Sequence, residues 1–204
     1  MNFIFDVDGT LIDSYDGINE SVIEVLNNNG FKYSNTYIKK YILDFSVYDL
    51  FKKIENDNVS FDKLNNDFIK SRLNTQSNYS FMPYAKEVIK RLYDMGHKLF
   101  IYTHKSDYIE IIINDNDLNK YFTEIIHAKS KCFKRKPNSD SINYLVEKYK
   151  LNKNDTYYVG DRKIDIVCAN NSNIKYIFYN EKDIDINYTY RINNLYDILK
   201  ICNN

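Results

Sequence analysis

The 204-residue sequence predicts an α/β fold: a Rossmann-like parallel sheet covered by helices on both faces, with a small all-helical domain inserted after the first strand. Three observations lead there. Short apolar runs recur without polar alternation, the pattern of strands buried on both faces. Helical periodicities separate the later runs, as βαβ units require. Residues 15–80 carry helical periodicities alone.

The first run is residues 3–5, which ends at once in Asp6-Val7-Asp8-Gly9-Thr10. Ile18, Val22, Val25 and Leu26 then share one helical face, with Gly30 at its end. Tyr37, Ile38 and Tyr41 indicate a second helix, and Val47, Leu50, Phe51 and Ile54 a third. Phe61, Leu64, Phe68 and Leu73 indicate a fourth. The expected organisation is a core of residues 1–14 and 81–204 with a helical cap of residues 15–80, hinged near 13–15 and 81–83. Such a lid would exclude water from a site at the sheet edge.

In the core, Ala85, Val88, Ile89, Leu92 and Met95 follow the i, i+3, i+4, i+7 rule, and Gly96 sits at the C-cap position. Residues 99–102 and 124–127 read as strands. Pro137 opens a helix through Ile142, Leu145, Val146 and Tyr149. Residues 157–159 and 176–179 complete the sheet.

Composition narrows the function. With 28 basic and 28 acidic residues the formal charge is zero, and no basic stripe stands out, so nucleic acid is not an expected partner. No run approaches the roughly 18 apolar residues of a membrane span, and no leader pattern opens the chain. Cys132, Cys168 and Cys202 are odd in number and lack metal-like spacing, which fits a reducing cytoplasm. Nothing chooses between monomer and homodimer.

Ligands of open parallel sheets bind beyond the carboxyl ends of the strands. Asp6, Asp8 and Gly9 follow the first run, and Thr103-His104-Lys105 follows residues 99–102. Lys136 lies in Arg135-Lys136-Pro137, while Gly160-Asp161 and Asp165 follow residues 157–159. Taken alone, DxDG is also an ordinary turn. Two close carboxylates repel each other and are normally kept apart.

DxDGT, the Thr after the second strand, the Lys before a helix and GDxxxD resemble the four motifs of the haloacid dehalogenase-like hydrolase superfamily. Asp13-Ser14 followed by a helical segment resembles its phosphoglycolate phosphatase-like branch. The resemblance implies a Mg2+-dependent phosphatase that acts on a small phosphorylated metabolite through a phospho-aspartate on Asp6. Asp6 would also touch the metal. Asp8 would serve as acid and base and give its backbone carbonyl to the ion. Asp161 would be a ligand, and Asp165 a ligand or a partner behind one, with compensation of a helix dipole as the rival role.

Lys136 and Thr103 would meet the phosphoryl oxygens, and backbone N–H groups near Gly9 and His104 would complete the cradle. His104 stands where Asn is frequent in the family, and it reads equally as a loop histidine or a substrate contact. Lys105 and Arg162 read as surface charges, His97 and His127 as structural, and Lys39 and Lys40 as a solvated helix face. The rival functions are a phosphosugar mutase with the same residues and a non-catalytic phosphate-binding regulatory module. A dehalogenase is disfavoured, because that branch does not need Asp8.

Overall fold

A computed structural model describes residues 1–75, 79–130, 133–180 and 186–202. The elements run β1 (Asn2–Phe5), β2 (Ile12–Asp13), α1 (Tyr15–Asn28), α2 (Asn35–Asp44), α3 (Val47–Ile54), α4 (Phe61–Thr75) and β3 (Ser80–Phe81). They continue with α5 (Ala85–Asp94), β4 (Lys98–Tyr102), α6 (Tyr108–Asp115), β5 (Phe122–Ile126), α7 (Asp140–Tyr149) and β6 (Thr156–Gly160). The chain closes with α8 (Lys163–Asn171), β7 (Lys175–Tyr179), β8 (Tyr190–Ile192) and α9 (Ile198–Ile201). Two compact units emerge, one of Met1–Ile12 with Phe81–Asn204 and one of Asp13–Ser80.

The first unit holds a six-stranded sheet in the order β5-β4-β1-β6-β7-β8. Every neighbouring pair is parallel. β1 lies inside the sheet, and Phe3, Ile4 and Phe5 are all fully buried, which explains its lack of alternation. Ile4, Phe100 and Tyr158 pack with Ile142 and Leu145 of α7 and with Ile166 and Ala169 of α8. Phe3, Phe5, Leu99 and Ile101 alternate with them and are buried on the opposite face. α5 packs against β4 and buries Val88, Ile89 and Leu92, each worth about 1.5–3 kcal/mol of apolar burial. Gly96, at φ +81°, follows the end of α5 as its pattern predicted.

Several details depart from expectation. α7 starts at Asp140 rather than at Pro137. The Pro137 carbonyl accepts from Asn171 Nδ2 at 2.9 Å and the Asn138 carbonyl from Cys168 Sγ at 3.2 Å, so α8 holds this stretch as a loop. β8 is an edge strand with two of its three residues exposed, too short and polar to stand out in the sequence. In α6, Ile109, Ile112 and Ile113 form a buried stripe that the sequence reading passed over.

The second unit encloses its own core of residues from α1 to α4, including Val22, Leu26, Ile38, Leu50, Phe51 and Leu64. Ser34 and Ser46 cap α2 and α3 by accepting from the N–H of Tyr37 and Asp49. Leu73, counted above on the buried face of α4, is 59% exposed. The buried stripe instead passes from Leu64 to Ser71, seven residues on. Lys39 pairs with Asp16 in the open, as a solvated helix face would.

Among the described residues no helix is long and apolar enough to cross a membrane. Cys168 is a buried free thiol and Cys202 a half-buried one; Cys132 lies outside the described residues.

Candidate active site

β1 delivers Asp6 to the carboxyl edge of the sheet. Phe5 is in register with Ile101 of β4 and with Val159 of β6. Asp6 therefore stands level with the residues that follow both neighbours, and its N–H donates to the Val159 carbonyl at 2.9 Å. Beyond Asp6 the chain doubles back. The N–H groups of Thr10, Leu11 and Ile12 all reach the Val7 carbonyl, at 3.1, 2.9 and 2.9 Å. Gly9 sits at φ +80° in this turn, a conformation that costs glycine little.

Lys136 arrives from the loop before α7. Its ammonium donates to Asp6 Oδ1 at 2.7 Å and to Asp165 Oδ1 at 2.8 Å, and its side chain is wholly buried. The same nitrogen lies 5.0 Å from the ring centroid of Tyr102 and 5.2 Å from that of Tyr158. Burial opposes a charged ammonium, but Asp165 and Asp6 together outweigh it and hold Lys136 above the usual lysine range. Burial also pushes the Asp6 carboxyl up, against the pull of Lys136.

Asp6, Asp161 and Asp165 each present a carboxylate oxygen within 4.8 Å of the others. Thr10 Oγ donates to Asp161 Oδ1 at 3.1 Å, and Asn180 Nδ2 to the Asp161 carbonyl at 3.2 Å. Asp165 divides its oxygens. Oδ2 caps α8 by accepting the Arg162 N–H at 3.3 Å, and Oδ1 takes Lys136. Asp6 Oδ2 is buried and accepts no hydrogen bond among the described residues.

These residues fit a divalent metal. An orphaned buried carboxylate oxygen is costly unless something meets it. Three carboxylates against one buried ammonium leave a surplus of two negative charges at a set of hard oxygen donors.

Gly160 makes room for this arrangement. A Cβ there would lie 2.9 Å from Asp165 Cβ, Asp165 Oδ2 and the Tyr176 hydroxyl. Gly160→Ala is expected to cost about 1–3 kcal/mol through overpacking, read as a lower melting temperature. Asp165 has to move as well, which disturbs the group of three carboxylates.

The other expected residues fall into different roles. Thr103 is buried, and its Oγ accepts the Lys105 N–H at 3.1 Å, which leaves its hydroxyl proton to donate. Of the backbone N–H groups expected near Gly9, its own donates to the Ile12 carbonyl at 2.8 Å and is engaged in the turn. The Asp8 side chain stands outside the group of three carboxylates, with Oδ1 2.7 Å from Lys105 Nζ. Lys105 is therefore no surface charge. Arg162 is half-buried at the start of α8, and its charge bears on Asp6, Lys136 and His104. His97 sits at the opposite edge, before β4, and His127 pairs with Glu110 at 3.3 Å.

His104 Nε2 accepts the backbone N–H of Lys136 at 2.9 Å, so the ring is neutral with its proton on Nδ1. Burial, then Lys136, Arg135 and Arg162, hold it well below the ordinary value of 6.5. The folded protein thus binds this proton less readily than the unfolded chain. The contribution to stability is full above pH 6.5 and is lost as pH falls through the window below it. Thermal melts from pH 8 to about pH 5 should show a steeper acid-side decline for wild type than for His104→Gln, whose amide oxygen accepts the same bond without titrating.

Thr10, Tyr102, Tyr158 and Asn180 were missed as site residues. Thr10 was within reach, since it belongs to DxDGT; the two tyrosines lie in apolar runs and read as core.

The parallel sheet gathers acidic residues around one buried lysine at its carboxyl edge, and residues 3–179 match the sequence model of the haloacid dehalogenase-like hydrolase family. The chain belongs to that family. The phosphoglycolate phosphatase of Vibrio vulnificus strain CMCP6 is 31% identical over 91 residues, 44% of this chain. That match spans only 40% of the relative's length. The pyrophosphatase PpaX of Bacillus mycoides strain KBAB4 is 26% identical over 184 residues, covering 84% of this chain and 80% of that protein. A haloacid dehalogenase-like family hydrolase from Streptococcus pneumoniae shares the fold with a TM-score of 0.79 over 98% of this chain and 97% of its own, at 16% identity.

Proposed function

We propose that the protein is a Mg2+-dependent phosphatase that hydrolyses a small phosphorylated metabolite through a phospho-aspartate on Asp6. One observation supports this most: Asp6 Oδ2 is buried without a hydrogen-bond partner while Oδ1 is pinned by Lys136. Lys136 orients one oxygen, and the other forms no hydrogen bond with any described residue. Asp6, Asp161, Asp165 and the Asp8 carbonyl would hold Mg2+, which when bound supplies the positive charge that lets a carboxylate approach a phosphate dianion.

Asp6 Oδ2 attacks phosphorus as the bond to the leaving oxygen breaks, and Asp8 gives that oxygen a proton. Water then attacks the phosphorus of phospho-Asp6, Asp8 takes back a proton, and inorganic phosphate departs. Lys136 and the Thr103 hydroxyl stabilise the charge that develops on the phosphoryl oxygens. Residues 15–80 would form the substrate-selecting cap.

The names of the relatives make phosphoglycolate and pyrophosphate the first substrates to assay, within a panel of phosphorylated metabolites. Phosphate release that requires added Mg2+ is the expected result. Phosphate binding without turnover of any panel member would overturn the reading in favour of a regulatory module.

A further inference from the structure

The mechanism above gives Lys105 no part, yet its geometry is unlike that of an exposed lysine. Its ammonium lies 2.7 Å from Asp8 Oδ1, with side-chain exposures of only 12% and 20%. The Lys129–Asp107 pair nearby, by contrast, is 65% and 51% exposed. Lys105 is also fixed along its backbone. Its N–H donates to Thr103 Oγ at 3.1 Å, and its carbonyl accepts the Ala128 N–H at 2.9 Å. The loop after β4 is thereby joined to a carboxylate 97 residues away, on the turn after β1.

We propose that Lys105 is a positioning residue for Asp8: its ammonium holds Oδ1 in place, and the other carboxyl oxygen carries the proton that passes to the leaving oxygen. This rests on the phosphatase reading and on Asp8 as its acid. Asp8 sits on a turn, where a short side chain can exchange between staggered rotamers. A hydrogen bond to Oδ1 from an anchored lysine selects one of them. A general acid is effective only within hydrogen-bond reach of the oxygen it serves. Displacement by about 1 Å can cost on the order of 10²-fold.

Leaving-group dependence tests this. An alkyl phosphate needs its leaving oxygen protonated, whereas p-nitrophenyl phosphate releases a group stable as an anion. For Lys105→Met, kcat/KM should fall by roughly 10²-fold on an alkyl phosphate and by at least about ten times less on p-nitrophenyl phosphate. Lys105→Arg should recover most of the loss. In an Asp8→Asn background, Lys105→Met should add nothing, since the residue it positions is already gone.

Equal losses on both substrates would overturn the proposal and assign Lys105 to substrate binding or folding. An undiminished rate on the alkyl phosphate would overturn it, as would an additive loss in the Asp8→Asn background. Failure of the phosphatase reading itself looks different: wild type would release phosphate from neither substrate, and the inference would fall with it.

Discussion

Replacing Asp6 by Asn is expected to lower phosphate release by about 10⁴-fold or more, because the reaction loses its nucleophile rather than an accessory group. The amide oxygen of Asn can still accept from Lys136 in place of Oδ1, so the variant should fold. The covalent step gives a second readout. Wild type quenched during turnover of a radiolabelled substrate should retain label that hydroxylamine removes, as an acyl phosphate does, and Asp6→Asn should retain none. A variant with wild-type turnover would remove Asp6 from the chemistry.

Lys136→Met should be the most destabilising single change in the site. Lys136 is the buried partner of two buried carboxylates. Removing one member of such a group leaves uncompensated charge, at a cost of about 3–5 kcal/mol. In a chain of this length each kcal/mol moves the melting temperature by roughly 2–4 °C, so a fall of about 10 °C is expected. Asp6→Asn in the same background should restore part of it, since one unpaired charge is removed; that gain measures the coupling directly. A fall of less than about 1 kcal/mol would show that the carboxylates are neutralised by other means.

Much of this was legible because the chemistry follows the strands directly. The apolar run of β1 is buried on both faces, so its end is sharply marked, and Asp6 follows without an intervening residue. Asp161 follows β6 in the same way, directly after Gly160. What escaped was pairing over distance. Lys105 looked like any lysine in a polar loop, and only the register of β1 with β4 brings it to Asp8. Tyr158 is indistinguishable in sequence from a core residue, because its hydroxyl partner, the Tyr102 carbonyl, lies 56 residues away. That the Gly9 N–H is engaged within its own turn has a local reason. The turn closes on its own backbone, and that closure could not be read from residue types.

The hydrogen bond from the Met82 N–H to the Leu11 carbonyl, at 2.9 Å, ties the two ends of the inserted segment together within the sheet-bearing unit. A longer insert between those ends then adds little closure entropy, which grows only slowly with length. Evolution can exchange or enlarge the insert while the reacting groups stay in place. With the proposed substrate-selecting cap in that insert, selectivity can change while the reacting groups are kept.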